Sequence, residues 1–153
     1  MQVALGTRTA ETAAVYFEKT NNETIRKVLP QKAKTVEEAV ADFHASQLPG
    51  ASSFGRTILA DGRYVGDIWC YGIGPDGTPS AMVSYCVFEP ACWSRGIATR
   101  AMELFLPEIT RRFQLKTVGL PAVYAVRGLC QPLSFRISNR WPYTCSSRTT
   151  SYA

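Results

Sequence analysis

The segment Cys92-Trp93-Ser94-Arg95-Gly96-Ile97-Ala98-Thr99-Arg100-Ala101 carries the clearest chemical signal in the chain. Gly96 among small neighbours, between an apolar run and an amphipathic one, suits a strand-to-helix turn. Such a turn gathers backbone N–H groups at a helix N-terminus and cradles an anion. Gly96 lets a ligand approach closely, Ser94 and Thr99 add hydroxyl donors, and Arg95 can pair with phosphate. The same pattern also fits an ordinary helix start with no ligand. Other chemistries find less support. The five cysteines form no Cys-x-x-Cys pair and His44 is the only histidine. No metal site, disulfide framework or nucleophile–histidine machine is therefore expected.

The elements that would hold this turn are read from periodicity. Thr9 reads as the N-cap of a helix with Glu11 and Thr12 in its first turn and Ala13, Tyr16 and Phe17 on one face. Asn22 to Leu29 reads as a short helix stopped by Pro30. Thr35 and Glu38 have capping-box spacing before Val36, Ala39, Val40 and Phe43, with a stop at Pro49-Gly50. Phe54 to Ala60 and Tyr64 to Ile73 are strand-like around an Asp61-Gly62 turn, and Ala81 to Phe88 is a third strand after the turn cluster 74–79. A helix follows from Gly96 to Phe113, with Ile97, Ala101, Leu104, Phe105 and Ile109 as its apolar stripe. Pro107 is expected to bend it or end its regular part. Leu115 to Leu120 closes the pattern as a strand parallel to 80–88, next to a place where the sheet opens. The fold class is α+β, a mixed and mostly antiparallel sheet flanked by helices.

The 153 residues suit one compact domain, and no apolar run approaches the length of a membrane helix. The N-terminus lacks the charged and apolar pattern of a secretory leader, so a cytoplasmic location is expected. The net charge of +5 is uneven. Residues 1–108 hold ten Lys/Arg and all twelve carboxylates; residues 109–153 hold seven Lys/Arg and none. Those cations are scattered among Ser, Thr, Pro and Cys and form no basic run, which argues against nucleic acid as a partner.

Residues 80–118 resemble the acetyl-CoA-binding core of the GNAT N-acetyltransferases, in particular the branch containing the ribosomal-protein alanine acetyltransferases. The family's pyrophosphate loop reads Gln/Arg-x-x-Gly-x-Gly/Ala, and the branch often reads Trp-Gly-Lys-Gly-Ile-Ala-Thr-Glu-Ala. Trp93 to Ala101 follows the branch form, with Trp93 at the first motif position. A looser likeness covers residues 9–118. The resemblance implies acetyl-CoA as cosubstrate, without a metal. It places the pantetheine arm along the backbone of Cys86, Val87 and Phe88. The diphosphate falls on the loop from Trp93 through Ser94, Arg95, Gly96, Ile97 and Ala98 to Thr99. An amine of a small molecule or protein would be the acceptor.

Direct acyl transfer also needs a base for the amine, a donor to the oxyanion and an acid for the thiolate. Backbone amides of 84–88 can meet the oxyanion. Glu89, at the strand end, and Asp67, inside the second strand, are the candidate bases. Glu89 could equally only open the turn at Pro90, and Asp67 could face solvent. Tyr85 and Tyr71 are candidate proton donors, and Trp69, Tyr71 and Tyr85 could line an acceptor pocket; core packing explains these aromatics as well. Cys86 and Cys92 read as small buried residues.

The likeness stops after Gly119. The family continues with an Asn-x-x-Ser helix and a last strand, whereas residues 121–153 form an atypical basic tail, degenerate or disordered, with the look of an out-of-frame end. Residues 1–120 are then the acetyl-CoA-binding domain. A chain lacking those last elements would expose a sheet edge, open to homodimerisation. It would also lose one wall of the cleft, which makes a catalytically impaired remnant the alternative to an active enzyme. A basic phosphate- or nucleic-acid-binding module is the third reading.

Overall fold

The computed structural model describes residues 1–27, 29, 31–74, 80–119, 134–136 and 145–146. Among the described residues, seven strands form one sheet in chain order: β1 (Val3–Thr7), β2 (Ser53–Ala60), β3 (Arg63–Tyr71), β4 (Ser80–Val87), β5 (Thr117–Gly119), β6 (Ser134–Arg136) and β7 (Cys145–Ser146). All neighbours are antiparallel except β4 and β5, which are parallel. Helices α1 (Ala10–Thr20), α2 (Glu23–Arg26) and α3 (Val36–Ser46) lie between β1 and β2, and α4 (Ile97–Phe113) crosses from β4 to β5. The architecture is the expected α+β one.

Local chemistry starts these helices. Thr9 and Thr12 form a reciprocal capping box for α1, and the Asn22 and Thr35 side chains accept from the amides of Ile25 and Glu38 to start α2 and α3. Asp61 and Gly62, both left-handed at φ 49° and 76°, make the two-residue turn between β2 and β3. The strand β1 was not expected from the sequence, since Val3 and Leu5 alone alternate there. They pack against the core while β1 pairs with β2 from Val3↔Ala60 to Thr7↔Arg56. Pro107 does not end α4, which runs on to Phe113. The buried stripe of Ile97, Ala101, Met102, Phe105, Leu106 and Ile109 outweighs the roughly 3 kcal/mol that an interior proline costs.

The main core lies between the sheet and α4, where Ile58, Val65, Ile68, Val83, Phe105 and Ile109 are fully or almost fully buried. A smaller cluster of Ile25, Cys86 and Phe88, with Tyr16, Tyr64 and Trp69 packed on it, marks the face under α1 and α2. Among the described residues the β4–β5 pairing runs from Ser80↔Thr117 to Met82↔Gly119, and β4 continues to Val87. The parallel pairing of these two strands is the one expected from the sequence.

The edge expected at β5 is not open. β6 pairs with it, Thr117↔Arg136 and Val118↔Phe135, and β7 pairs with β6. Backbone pairing needs no hydrophobic period in the added strand, which is why the tail's composition gave no sign of it. The remaining expectations for 121–153, and those placed on Val28, Pro30, the turn residues 75–79 and Leu120, lie outside the described residues.

Candidate active site

β4 gives way to a short 3-10 turn at Pro90–Cys92, which Glu89 precedes with extended backbone and no side-chain cap. The chain then passes through two left-handed residues, Ser94 at φ 59° and Gly96 at φ 74°, before α4. Among the described residues no side chain caps α4, and its first turn has no acid; the first helical bond runs from the Arg100 amide to the Gly96 carbonyl at 3.0 Å. The amides of Ile97, Ala98 and Thr99 therefore have no partner inside the helix. Ser94, Arg95, Gly96 and Thr99 are exposed beside them. Exposed donors at the positive end of a 17-residue helix fit a bound phosphate.

On the strand, the Phe88 amide donates to the Val65 carbonyl at 3.0 Å. Backbone groups alternate sides along a strand, so Val87 turns its amide and carbonyl away from β3, to the edge of β4 on which β5 pairs earlier in the strand. The Val87 carbonyl accepts the indole N–H of Trp93 at 2.7 Å. Cys86 faces the other way: its carbonyl would lie 2.2 Å from a Cβ on Gly66, so only glycine fits at that position of β3. Of Cys86, Val87 and Phe88, Val87 is thus the one that presents its backbone to the edge of β4 opposite β3.

Asp67 is fully buried under α1, opposite Cys86 in the sheet register. Its carboxylate lies 3.0 Å from Arg8 Nε and accepts the Tyr64 hydroxyl at 2.8 Å. Burial pushes its pKa up to about 6, against the opposing pull of Arg8 and the Tyr64 hydrogen bond. The neighbouring Tyr64 and Tyr16 hydroxyls are held protonated chiefly by burial, reinforced by the negative charge of Asp67. Arg8 reaches Asp67 because residue 55 is glycine: a Cβ there would stand 2.9 Å from Arg8 Cδ.

The candidates therefore separate. Trp93 to Thr99, Val87 and Glu89 gather at the end of β4. Glu89 is half-buried, and among the described residues its carboxylate has no ion-pair or hydrogen-bond partner. Tyr85 lies on the α4 side of the sheet, packed on the main core, whereas Asp67 and Trp69 lie on the α1 side. Tyr71 is 36% exposed and Trp69 meets Tyr16 edge-on. Sequence reasoning missed Arg8, Tyr64 and Tyr16 as partners of Asp67. The available signal was a carboxylate in a run of buried strand residues, which requires a cation or donors from elsewhere. Among the described residues, no group of three or more His, Cys, Asp or Glu is placed to hold a metal ion, and no helix is long and apolar enough to cross a membrane.

A family model, acetyltransferase (GNAT) domain, matches residues 5–126. No curated protein matches the chain. Among solved structures, the aminoglycoside acetyltransferase AAC(6')-Ib in complex with coenzyme A superposes with a TM-score of 0.65 at 13% identity, over 78% of this chain and 73% of that one. RimJ of Mycobacterium smegmatis, in complex with CoA-disulfide, gives 0.66 at 18% identity over 82% and 64%. A spermidine N-acetyltransferase SpeG chimera from Vibrio cholerae and hSSAT gives 0.64 at 12% identity over 78% and 70%. At such identities the likeness is one of fold.

Proposed function

The chain belongs to the GNAT acetyltransferase family, and from that premise we propose that it transfers the acetyl group of acetyl-CoA directly to a primary amine of a small molecule or protein, in the cytoplasm. The observation that carries this reading is the uncapped first turn of α4 behind Ser94 and Gly96, next to the end of β4, where Val87 turns its backbone away from β3. A diphosphate matches the loop from Trp93 to Thr99, and an extended pantetheine arm matches the strand backbone around Val87. Residues 1–120 make up the acetyl-CoA-binding domain.

In the reaction the amine lone pair attacks the thioester carbonyl carbon; the C–N bond forms and the C–S bond breaks. The Val87 amide, turned away from β3, is the donor for the carbonyl oxygen as it gains charge. Glu89, at the same strand end and with a carboxylate not held by other described side chains, takes the proton from the amine. Tyr85, two residues before Val87, is the candidate to protonate the leaving thiolate. Asp67 is sealed under α1 and held by Arg8 and Tyr64, so its part is to position the sheet rather than to touch the acceptor.

Calorimetric titration with coenzyme A and acetyl-CoA tests the site, with Gly96→Trp as the blocked variant. Micromolar binding by the wild type, lost in a folded Gly96→Trp protein, is expected. A folded wild type that binds neither ligand would overturn the reading. Release of free thiol with polyamines, aminoglycosides and peptide N-termini then identifies the acceptor. Binding without release from any amine would leave an impaired member of the family.

A further inference from the structure

Trp93 is tied twice to the chain before it. Its backbone N–H donates to the Pro90 carbonyl at 3.1 Å, and its indole N–H to the Val87 carbonyl at 2.7 Å. The ring is half-buried against the main core. An indole N–H in such a place needs an acceptor, and the strand supplies it. Directly after Trp93 come left-handed Ser94, exposed Arg95, left-handed Gly96 and the uncapped helix. The indole bond is a side-chain hydrogen bond that joins the segment 88–96 to β4.

We infer that Trp93 is the positioning residue of the phosphate loop, fastening it to the edge of β4 that faces away from β3 through the indole N–H and the Val87 carbonyl. The inference rests on the acetyl-CoA reading and adds to it the register between two half-sites. With the bond made, the loop amides stand at a fixed height over the strand, ready for a diphosphate and an extended arm belonging to one ligand. Without it, the two left-handed residues let the loop sample other positions. Apparent affinity then falls by the fraction of time spent in the competent one. The indole acts on the loop, not on the pantetheine.

The test replaces Trp93 by Phe, which keeps an aromatic ring and removes the donor, and measures three ligands: coenzyme A, its nucleotide half 3′-phospho-ADP, and pantetheine. A neutral hydrogen bond sets the expected scale, a roughly 3- to 10-fold weakening of coenzyme A and of 3′-phospho-ADP by the same factor. Pantetheine, measured by competition with acetyl-CoA, is expected to bind unchanged. A general loss of structure would weaken all three ligands, and a direct contact of Trp93 with the arm would weaken pantetheine; either result overturns the inference, as does wild-type affinity of Trp93→Phe for 3′-phospho-ADP. If Trp93→Phe does not fold, the same comparison is made with β-(3-benzothienyl)alanine at position 93, which keeps the bicyclic shape and has sulfur in place of N–H. A folded wild type that binds neither coenzyme A nor 3′-phospho-ADP overturns the functional reading together with this one. Binding by the wild type with no difference at position 93 overturns only the role of Trp93.

Discussion

Replacing Arg8 by Met removes the cation that faces the buried carboxylate of Asp67, and its cost should depend on pH. In the folded chain Asp67 has a pKa of about 6, above its ordinary 3.8. The native state thus holds a proton that the unfolded chain has released between those values. Stability from this group is fully present below about pH 4 and is lost as pH rises through 6. At about 1.4 kcal/mol per pH unit, the loss of stability amounts to about 3 kcal/mol between acid and neutral solution. Arg8 offsets part of the cost of the ionised form, its side chain being 21% exposed while that of Asp67 is sealed. With Met at position 8, the carboxylate must either stay charged without a cation or keep its proton to higher pH. Breaking a buried pair from the cationic side typically costs about 3 to 5 kcal/mol. Urea unfolding at pH 8 should show a loss on that scale, shrinking strongly at pH 5, where Asp67 is mostly protonated in both proteins. Asp67→Asn should flatten the pH dependence between 4 and 7, since an amide still accepts from Tyr64 and Arg8 can turn to water. Equal destabilisation of Arg8→Met at both pH values, or an unchanged slope in Asp67→Asn, would refute this account of the cluster.

Gly66→Ala should be far more damaging than Gly62→Ala. The Cβ at 66 would stand 2.2 Å from the Cys86 carbonyl, whereas at 62 it meets nothing within 4 Å and costs only the strain of a left-handed residue, about 1 to 2 kcal/mol. Thermal unfolding of the two variants side by side checks the order. Glu89→Gln should lower the transfer rate by about 100-fold while leaving the melting temperature and coenzyme A affinity near wild type, as read by thiol release and calorimetry. Thr9→Ala should cost about 1 kcal/mol through loss of the α1 capping box, measured by denaturant unfolding. Phe105→Ala should cost about 3 to 5 kcal/mol, because the ring is fully buried and stacks on Phe54.

What the sequence determined by itself is what short-range chemistry decides. The starts of α1, α2 and α3 follow from side chains three residues away, the β2–β3 turn from Asp61-Gly62, and the stripe of α4 from a 3.6-residue period. The loop at Gly96 was legible for the same reason, since left-handed backbone and small neighbours leave a local signature. The strand β1 was not legible, because two inward residues in five cannot be told from chance until β2 supplies the partner. Asp67 shows the same limit more sharply. Its type and strand position allowed either a base in solvent or a buried ion, and Arg8, 59 residues earlier, decides between them only once β1 and α1 lie over the sheet. At Trp93 the sequence gives a departure from the motif's Gln or Arg, and the fold gives what the three side chains share, an N–H donor, with the Val87 carbonyl as its acceptor. Local propensity is written in adjacent residues. Charge compensation, burial and the direction of a strand's free carbonyl depend on which distant segments come to lie side by side, and only the tertiary structure fixes that.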